Sequence, residues 1–444
     1  MSTEKLHVGD SSDSEGDNET YEEELISKPD AKKVFSLSHN AWKDDKYLKP
    51  VIEDDELLQW DIEEDENSLL TDELTLEEKL KLAEQRAERS EDELKKVVED
   101  LHRLQETAKN LFSSTVETAE LPTVKSLKDD EDSPYIDSYS HFGIHREMLQ
   151  DTVRTLRYKE AICLNEETLA DKLILDVGSG TGILSMFCAK AGAKKVYAVE
   201  MSDIYYESLD IIRENKLEDK IHQIKGRLEN IQLPEEKVDV IVSEWMGYFL
   251  FFESMLDSVL YARDKYLKSD GIMLPNICTL KIMAMTDEEL YKRHITFWDD
   301  VYGFRMSCLR KQELGEALVD FVKKTSIVSD ESELISLNLN ECSIKDTEFK
   351  SLFKLTCQHS TTVHALCAYF DVDFKMPKPV RLSTSPFEKG THWKHTVFFL
   401  KHPIEVKEHE EISGTLECLK GKKNPRSLTV KIHLKGVDQI YSLS

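Results

Sequence analysis

A chain of 444 residues with 86 acidic and 58 basic side chains carries a formal net charge of −28 at pH 7. This length leaves room for roughly three domains, and so acidic a chain is not expected to bind nucleic acid directly. No run approaches the roughly 18 to 20 apolar residues of a membrane span. All eight cysteines lie at or after Cys163 without a Cys-x-x-Cys pair. We therefore expect a soluble protein with reduced thiols, located in the cytoplasm and also compatible with the nucleus.

The negative charge is concentrated near the N-terminus, where residues 1–133 hold 39 acidic and 17 basic side chains, against 47 and 41 in residues 134–444. Residues 1–40 are predicted to be a disordered acidic tail, because they hold too few apolar side chains to offset the entropy of ordering. Residues 41–73 carry aromatic and aliphatic side chains among acids, including Trp42 and Trp60, and are predicted to be a docking segment. An acidic N-terminal region of this kind is expected to attract a basic substrate or partner.

Residues 74–112 are predicted to form a long helix, in which the roughly 36 residues of the apolar repeat would span about 54 Å at 1.5 Å per residue. Its apolar positions alternate at spacings of four and three over about five heptads, and Ser90 is the one polar residue at these positions. These positions are Leu76, Leu80, Ala83, Ala87, Leu94, Val97, Leu101, Leu104, Ala108 and Leu111. Two interpretations remain open: a coiled coil with a partner chain, or one amphipathic helix packed against the chain's own domain.

Residues 134–275 are predicted to form the first globular domain, which opens with an aromatic segment at 135–145. This segment either covers the domain or closes over a ligand. The helix after it is predicted from its spacing to turn three apolar side chains inward, namely Met148, Val153 and Leu156. Its polar residues His145, Asp151 and Arg154 would then point elsewhere.

A glycine-rich turn follows the short apolar run Leu173-Ile174-Leu175. Gly178, Gly180 and Gly182 alternate there and lead into helix-forming residues, a pattern typical of a buried parallel strand, a tight turn and a helix start. Such a turn lets the backbone approach a nucleotide-like ligand closely, and the helix N-terminus offers unpaired N–H groups. A dinucleotide fingerprint would need its third glycine one residue later, where Ile183 stands.

The next predicted strand, residues 195–199, ends in Glu200, about twenty residues beyond the glycines, where an acid can hold the hydroxyl pair of a ribose. A lone glycine turn is a weak signal, but strand, turn, helix, strand and terminal acid together are much more specific. This block resembles the class I S-adenosylmethionine-dependent methyltransferases, whose glycine turn has the same Gly-x-Gly-x-Gly form. The resemblance implies an α/β, Rossmann-like domain.

Two glutamates flank an aromatic hairpin after the predicted strand 238–242. Glu244 emerges from the carboxyl end of that strand, over the same crevice as the glycine turn, and Glu253 follows the hairpin. Such a pair could be a general acid and base, a metal site or a clamp for a cation. No histidine or cysteine joins the glutamates at ligand spacing, so no metal site is expected. Hydrolysis fits poorly beside an adenosine site, whereas two carboxylates match a planar guanidinium well.

After Pro275 short β-rich runs separated by turn signals predict a β-barrel-like domain at 276–444. The predicted strands cover residues 278–284, 353–357, 363–374, 394–400 and 427–434. A helical insertion at 286–312 is rich in aromatic residues, namely Tyr291, Phe297, Trp298, Tyr302 and Phe304. Because so many aromatic side chains would otherwise be exposed, we expect this arm to pair two copies of the chain as a homodimer.

Two loops make a more specific resemblance. The stretch from Ser243 to Tyr248, continued by Glu253-Ser254-Met255, resembles the double-glutamate loop of the protein arginine N-methyltransferases. Thr391-His392-Trp393 resembles the threonine-histidine-tryptophan loop of the same family, and the match runs from about Tyr135 onwards. The resemblance implies methyl transfer from S-adenosyl-L-methionine to arginine in protein substrates, glycine-arginine-rich or ribosomal. The products implied are those of a type I enzyme, mono- and asymmetric dimethylarginine.

The resemblance also implies the roles of the site residues. Glu244 and Glu253 would bind the substrate guanidinium as catalytic residues, together with His392. The residues implied around the substrate are Tyr139, Met148, Asp151, which would pair with His392, Met255 and Trp393. The residues implied around the cofactor are His145, Arg154 on its carboxylate, Asp176, Gly178, Gly180, Gly182, Glu200 on its ribose and Glu229 near its adenine.

This sequence departs from the family pattern in two places. Tyr135-Ile136 stands where the family has a tyrosine-phenylalanine pair, which removes an aromatic ring over the cofactor. Residues 47–55 and the helix after them point to one branch of the family, but that branch's N-terminal zinc finger has no counterpart here, because no cysteine precedes Cys163. Two other functions remain open: an inactive scaffold that assembles through the long helix and the arm, or a methyltransferase of small molecules.

Overall fold

The computed structural model describes residues 123, 124, 127 and 129–444, all within one compact unit, Glu117–Ser444. The predicted acidic tail, docking segment and long helix lie outside these residues, so those predictions are untested. Among the described residues, no helix is both long and apolar enough to cross a bilayer.

The first domain is a five-stranded parallel sheet preceded by four helices and flanked by three more. The leading helices are α1 (Asp129–Ser138), α2 (Phe142–Gln150), α3 (Thr152–Leu164) and α4 (Glu166–Leu169). The strands are β1 (Leu173–Val177), β2 (Lys195–Glu200), β3 (Ile221–Lys225), β4 (Val238–Val242) and β5 (Leu267–Leu274). The flanking helices are α5 (Ile183–Lys190), α6 (Ile204–Glu214) and α7 (Leu256–Tyr266), with a 3-10 turn at Leu228–Asn230.

The strand order β3-β2-β1-β4-β5 places β1 and β4 at the centre of the sheet. Their side chains are apolar on both faces because helices cover both faces, and Ile174 and Ile241 are fully buried. The strand order reverses between β1 and β4, and ligands of open α/β sheets bind at such a point, beyond the carboxyl ends of the strands. The predicted Rossmann-like domain is therefore confirmed.

The helix predicted after residue 145 is broken in two at Asp151. The Asp151 side chain accepts a hydrogen bond from the Arg154 backbone N–H, which caps a new helix there. The predicted inward face is wrong, because Leu156 is 55% exposed whereas His145, Asp151 and Arg154 are buried. The spacing rule failed because the cap resets the helix and turns the polar residues toward a pocket.

The second domain consists of two antiparallel sheets. Its strands are β6 (Ile277–Met285), β7 (Leu318–Asp320), β8 (Ser332–Asn338), β9 (Phe349–Thr356), β10 (Thr361–Phe374), β11 (Val380–Ser383), β12 (His395–Val406), β13 (Glu411–Lys420), β14 (Leu428–Leu434) and β15 (Val437–Leu443). One sheet has the order β7-β12-β10-β6-β8, with β11 paired to β10, and the other has the order β15-β14-β13-β9. Short 3-10 turns lie at Lys324–Ser326 and Ile344–Thr347.

The two sheets and the first domain share one core. Phe398 of β12 packs against Tyr441 of β15 with ring centroids 5.0 Å apart. Across the domain boundary, the ring of Tyr158 in α3 meets Phe374 of β10 at 4.8 Å. The predicted barrel-like domain is confirmed, and each of its five predicted strands falls on an observed one. The shorter strands β7 and β11, and also β8, β13 and β15, were not predicted.

The arm is helical as predicted, with α8 (Glu288–His294), a 3-10 turn (Thr296–Asp299) and α9 (Ser307–Glu313). One aromatic residue does not belong to its exposed surface. Tyr291 is buried, and its hydroxyl donates to the Leu400 carbonyl at 3.1 Å, so it anchors the arm to the barrel. Tyr302 and Phe304, in contrast, are 96% and 69% exposed. These two rings are the apolar surface that a second copy would cover.

We predict that replacing Tyr302 and Phe304 together with serine converts a dimer into a monomer, because the substitutions remove the exposed rings without touching the barrel core. Light scattering of the full chain at micromolar concentration measures this. Phe387→Ser is the matched control, since Phe387 is 56% exposed elsewhere on the barrel domain. A double variant that stays dimeric would move the interface away from the arm.

Candidate active site

A pocket of about 1170 Å³, counting the solvent at its mouth, opens at the carboxyl ends of β1, β2 and β4. It is lined by residues from α1, the glycine turn, the loop after β4 and the loop before β12. Twelve of the sequence-predicted site residues line it: Tyr139, His145, Met148, Arg154, Gly178, Gly180, Glu200, Glu229, Glu244, Glu253, Met255 and His392. Residues far apart in the sequence thus meet in one site.

The glycine turn joins β1 to α5 in a backbone conformation that L side chains rarely adopt. Gly178 and Gly180 have φ of +70° and +54°. A Cβ atom on Gly178 would collide with the Met255 side chain, and one on Gly180 would lie 3.4 Å from the His145 ring. The absence of side chains here leaves backbone exposed at the pocket floor, as close approach of a ligand requires.

Glu200 is fixed at the end of β2 by three hydrogen bonds. Its carboxylate accepts from the Gly180 N–H at 2.8 Å, and from the Ser202 N–H and hydroxyl at 2.7 Å each. A carboxylate has about four acceptor positions, so one position remains for a ligand hydroxyl. The location fits the predicted contact with a ribose.

Glu229 carries a buried acceptor without a donor. Its Oε1 accepts from the Ser258 hydroxyl at 2.6 Å, whereas its Oε2 is buried and has no hydrogen-bond partner. The Arg227 Nε lies 3.5 Å from that oxygen but makes no hydrogen bond with it. Because buried polar atoms in native proteins are nearly always satisfied, this oxygen calls for a ligand donor. The exocyclic amine of an adenine is such a donor, so the residues fit the implied cofactor.

Arg154 and Glu244 form a buried ion pair inside the pocket. The Arg154 Nε donates to Glu244 Oε2 at 2.7 Å, and the two side chains are 8% and 7% exposed. Glu244 follows β4 by two residues, and Arg154 comes from the first turn of α3. A guanidinium has five donors, so Arg154 can hold Glu244 and still grip a ligand carboxylate.

Glu253 stands at the far end of the aromatic hairpin, in contact with α1. The Tyr139 hydroxyl donates to its Oε2 at 2.7 Å. Burial raises the pKa of Glu253 above its usual value, and the negative charge of Glu244 adds to this rise. Burial together with the charge of Glu253 also raises the pKa of Tyr139, so this hydroxyl keeps its proton and remains a donor.

The predicted pairing of His392 with Asp151 is present. Asp151 Oδ2 accepts from both the backbone N–H and Nδ1 of His392 at 2.8 Å. Burial alone would raise the pKa of Asp151, but hydrogen bonds from His392 and Arg154 lower it below its usual value. An ionised Asp151 therefore orients the imidazole, whose other nitrogen is left for the pocket.

Three residues predicted to bind cofactor or substrate lie behind the pocket wall. Asp176 is fully buried, accepts from the Ser185 hydroxyl at 2.6 Å and supports α5; burial raises its pKa to about 7. Gly182 is the residue before α5. Trp393 is buried, and its Nε1 donates to the Met246 carbonyl at 2.7 Å, so it braces the loop that carries Glu244. A sequence motif does not distinguish a residue that lines a pocket from one that supports its wall.

Arg227 and Arg426 also line the pocket and were not among the residues predicted from the sequence. Arg426 lies in the loop between β13 and β14, more than 170 residues beyond Glu253 in the sequence. Its surroundings, Asn424-Pro425-Arg426-Ser427, indicate an ordinary turn. No local pattern could have identified it, because its importance depends on contacts between the domains.

Comparison with known proteins extends across both domains. A family model described as arginine methyltransferase oligomerization subdomain matches residues 276–439, and one described as methyltransferase domain matches residues 174–271. Protein arginine N-methyltransferase 1 of Schizosaccharomyces pombe is 48% identical over 299 residues, which cover 67% of this chain and 88% of the relative. The chain belongs to the protein arginine N-methyltransferase family. Protein arginine N-methyltransferase 1.1 of Arabidopsis thaliana is 50% identical over 299 residues, 67% of this chain and 77% of the relative.

Solved members of the protein arginine N-methyltransferase family share the architecture. The Trypanosoma brucei enzyme-prozyme heterotetrameric complex of protein arginine methyltransferase 1 with AdoHcy matches with a TM-score of 0.68 at 40% identity, over 69% of this chain and 100% of that one. Arabidopsis thaliana protein arginine methyltransferase 10, in an open conformation, matches with a TM-score of 0.62 at 29% identity, over 70% and 100%. The parallel sheet followed by antiparallel sheets is therefore the fold of this family.

We predict that Glu200→Gln weakens the binding of S-adenosylhomocysteine, the demethylated form of the implied cofactor, by about 1–3 kcal/mol, the usual value of a hydrogen bond to a charged group. Isothermal titration calorimetry measures the affinity. Glu207→Gln, on the exposed surface of α6, is the matched control and should bind normally. Equal affinity of the Glu200 and Glu207 variants would remove Glu200 from the cofactor site.

Proposed function

We infer that this chain is a type I protein arginine N-methyltransferase. It transfers methyl groups from S-adenosyl-L-methionine to guanidinium nitrogens of arginine in protein substrates, giving mono- and asymmetric dimethylarginine. The observation that carries this function is that Glu244 and Glu253 face the same pocket as the glycine turn, Glu200 and Glu229. A methyl donor and a guanidinium can then be held side by side. The relatives named as arginine methyltransferases, one of them solved with AdoHcy, support the same activity.

The residues supply alignment and charge rather than strong base catalysis. The sulfonium of S-adenosyl-L-methionine makes its methyl group electrophilic, so the protein must mainly place a guanidinium nitrogen in line and exclude water. Glu244 and Glu253 each hold part of the guanidinium and concentrate its positive charge away from the reacting nitrogen. That nitrogen keeps its lone pair for attack, and His392, oriented by Asp151, is placed to receive a proton afterwards.

We also propose the chain's place within the family and its assembly. The resemblance of residues 47–55 supports a closest relation to protein arginine N-methyltransferase 3. Residues 1–162 contain no cysteine, so a cysteine-ligated zinc finger cannot form within them. The match to an oligomerization subdomain and the exposed aromatic rings of the arm support a homodimer.

We also propose a substrate class and a location. Glycine-arginine-rich or ribosomal proteins are the proposed substrates, since the acidic N-terminal region favours basic partners. The cytoplasm, with the nucleus as a second location, is the proposed site of action. The direct test is to incubate the chain with labelled S-adenosyl-L-methionine and a glycine-arginine-rich peptide and to identify the methylarginines by mass. Absence of label on arginine, with labelled small molecules instead, would refute the function.

We predict that Glu253→Gln lowers methyl transfer by orders of magnitude while S-adenosylhomocysteine binds nearly as before. The substitution keeps the shape of the side chain but leaves a buried guanidinium without one partner charge, at a cost of about 2–5 kcal/mol. Transfer to an arginine peptide and calorimetry measure the two quantities. Glu417→Gln, which removes a partly exposed glutamate paired with Lys431 on the barrel, is the control. Near-normal transfer by Glu253→Gln would show that the Glu253 carboxylate does not bind the substrate guanidinium.

We also predict an acidic limb in the pH profile that depends on Tyr139. Glu253 must be ionised to bind a guanidinium, and burial raises its pKa, so transfer is lost at a higher pH than an ordinary glutamate would dictate. The hydrogen bond from Tyr139 lowers that pKa, so Tyr139→Phe should move the limb to higher pH. Single-turnover rates across the pH range, each normalised to its plateau, measure the shift. A limb that stays in place or moves to lower pH would show that Glu253 does not set it.

A further inference from the structure

The loop between β13 and β14 forms hydrogen bonds with the double-glutamate loop at Glu253 and Ser254. The Glu253 N–H donates to the Arg426 carbonyl at 2.8 Å, and the Arg426 Nη1 donates to the Glu253 carbonyl at 2.7 Å. The Ser254 hydroxyl donates to the Pro425 carbonyl at 2.6 Å. A loop of the second domain therefore binds both the backbone N–H and the backbone carbonyl of Glu253.

These contacts act on a backbone that needs support. Glu253 and Ser254 have φ of +71° and +53°, and Phe249 and Leu250 earlier in the same hairpin are also positive. Residues with a side chain rarely adopt this region, and such conformations persist only where the surroundings over-determine them. The two hydrogen bonds exchanged by Glu253 and Arg426 are the constraint nearest to the carboxylate.

Arg426 connects the same point to α1, which lies over the pocket. Its Nε and Nη2 donate to the two oxygens of Asp132 at 2.5 Å and 2.9 Å. Its guanidinium carbon lies 3.5 Å from the centre of the Tyr135 ring. Arg426 and Asp132 are 6% and 1% exposed, so the pair is buried. One planar side chain thus fixes Asp132, Tyr135 and the Glu253 carbonyl together.

We propose that Arg426 is a positioning residue for methyl transfer: it holds the Glu253 carboxylate in the orientation that receives the substrate guanidinium. The proposal rests on the proposed function of the pocket. The three hydrogen bonds that the Arg426 guanidinium donates go to Asp132 and to the Glu253 carbonyl, so they position groups of the protein. Arg426 acts through Glu253.

Arg426 also contributes its charge. Glu253 faces Tyr135 on α1 and Tyr139 just after it, Glu244 across the pocket, and Tyr248 in its own hairpin. Arg426 faces it from the barrel, with Asp132 behind Arg426. Burial raises the pKa of Glu253, and the positive charge of Arg426 opposes that rise. Geometry and charge can therefore be separated by two substitutions at one position.

The domains remain connected without Arg426. The Trp393 Nε1 donates to the Met246 carbonyl, and Lys420 of β13 forms a buried ion pair with Asp257 of α7 at 2.5 Å. Asn165 exchanges hydrogen bonds with the backbone of Lys378 at 2.8 Å and 2.9 Å. A substitution at residue 426 is therefore compatible with a folded protein, so its effect on catalysis can be measured.

The experiment compares Arg426→Lys and Arg426→Gln with the wild type in the full chain. Lysine keeps the charge but cannot span Asp132 and the Glu253 carbonyl with a rigid fork, whereas glutamine loses the charge as well. Calorimetry with S-adenosylhomocysteine counts competent sites, and single-turnover transfer to an arginine peptide at saturating cofactor gives the rate per competent site. Lys431→Gln, on β14 and paired with Glu417 at the surface, is the matched control.

We expect Arg426→Lys to transfer about tenfold to a hundredfold more slowly per competent site, as small misplacements of a catalytic group do. The control should stay within about twofold, as surface substitutions usually do. The acidic limb of the Arg426→Gln profile should move to higher pH than that of Arg426→Lys, because only the glutamine variant lacks the opposing charge. Loss of stability alone would reduce the number of competent sites but not the rate at each one.

A rate per competent site within about twofold of the wild type in Arg426→Lys would overturn the proposal and leave Arg426 as support for the fold alone. If neither Arg426 variant binds S-adenosylhomocysteine, Asp132→Asn decides, since it removes the charge that anchors the Arg426 guanidinium and so loosens its hydrogen bond to the Glu253 carbonyl. A several-fold slower rate per site in that variant supports the proposal, and an unchanged rate overturns it. Absence of transfer in the wild type would instead refute the proposed function.

Discussion

Two carboxylates in one buried pocket repel each other, and each loses hydration; the architecture of this chain compensates for both effects at Glu244 and Glu253. Glu244 is paired with Arg154, and Glu253 receives the Tyr139 hydroxyl and lies near Arg426. Charges removed from water are tolerated only with good geometry and further hydrogen bonds. For that reason the groups that surround the two carboxylates come from α1, α3, the hairpin after β4 and the loop between β13 and β14.

The same compensation explains why an arginine side chain is the expected acceptor. Each glutamate is partly neutralised before a substrate arrives, so the site is already shaped but still has acceptor positions to fill. A guanidinium stays charged at any physiological pH and offers donors in one plane, which can reach two carboxylates held in fixed positions. A lysine ammonium is a compact point charge and cannot present donors in such a plane. Selectivity therefore arises from the fixed orientation of Glu244 and Glu253 as much as from their charge.

Local sequence patterns predicted the parts of this site whose geometry is local. The glycine turn, Glu200 at a strand end and Glu244 beyond β4 follow from strand and turn rules, and the short apolar runs identified the parallel strands. The break at Asp151 was missed because apolar spacing continued through it, although its capping hydrogen bond decides the course of the chain. The burial of Tyr291 and Trp393 and the contacts of Arg426 were not predicted, because the surroundings of these residues come from residues more than 100 positions away.

The span of the pocket along the chain has a consequence for synthesis. The sheet that carries the glycine turn is complete once β5 has formed at residue 274, but the Glu253 backbone gains its hydrogen bonds with Arg426 only after the loop between β13 and β14 has been made. A growing chain folds domain by domain from its N-terminus. The part of the pocket around the glycine turn and Glu200 can therefore form early. The part around Glu253 forms only after residue 426 has been synthesised. A nascent chain or a prematurely terminated product would have a cofactor site without a competent acceptor site, which keeps methyl transfer a property of the finished domain pair.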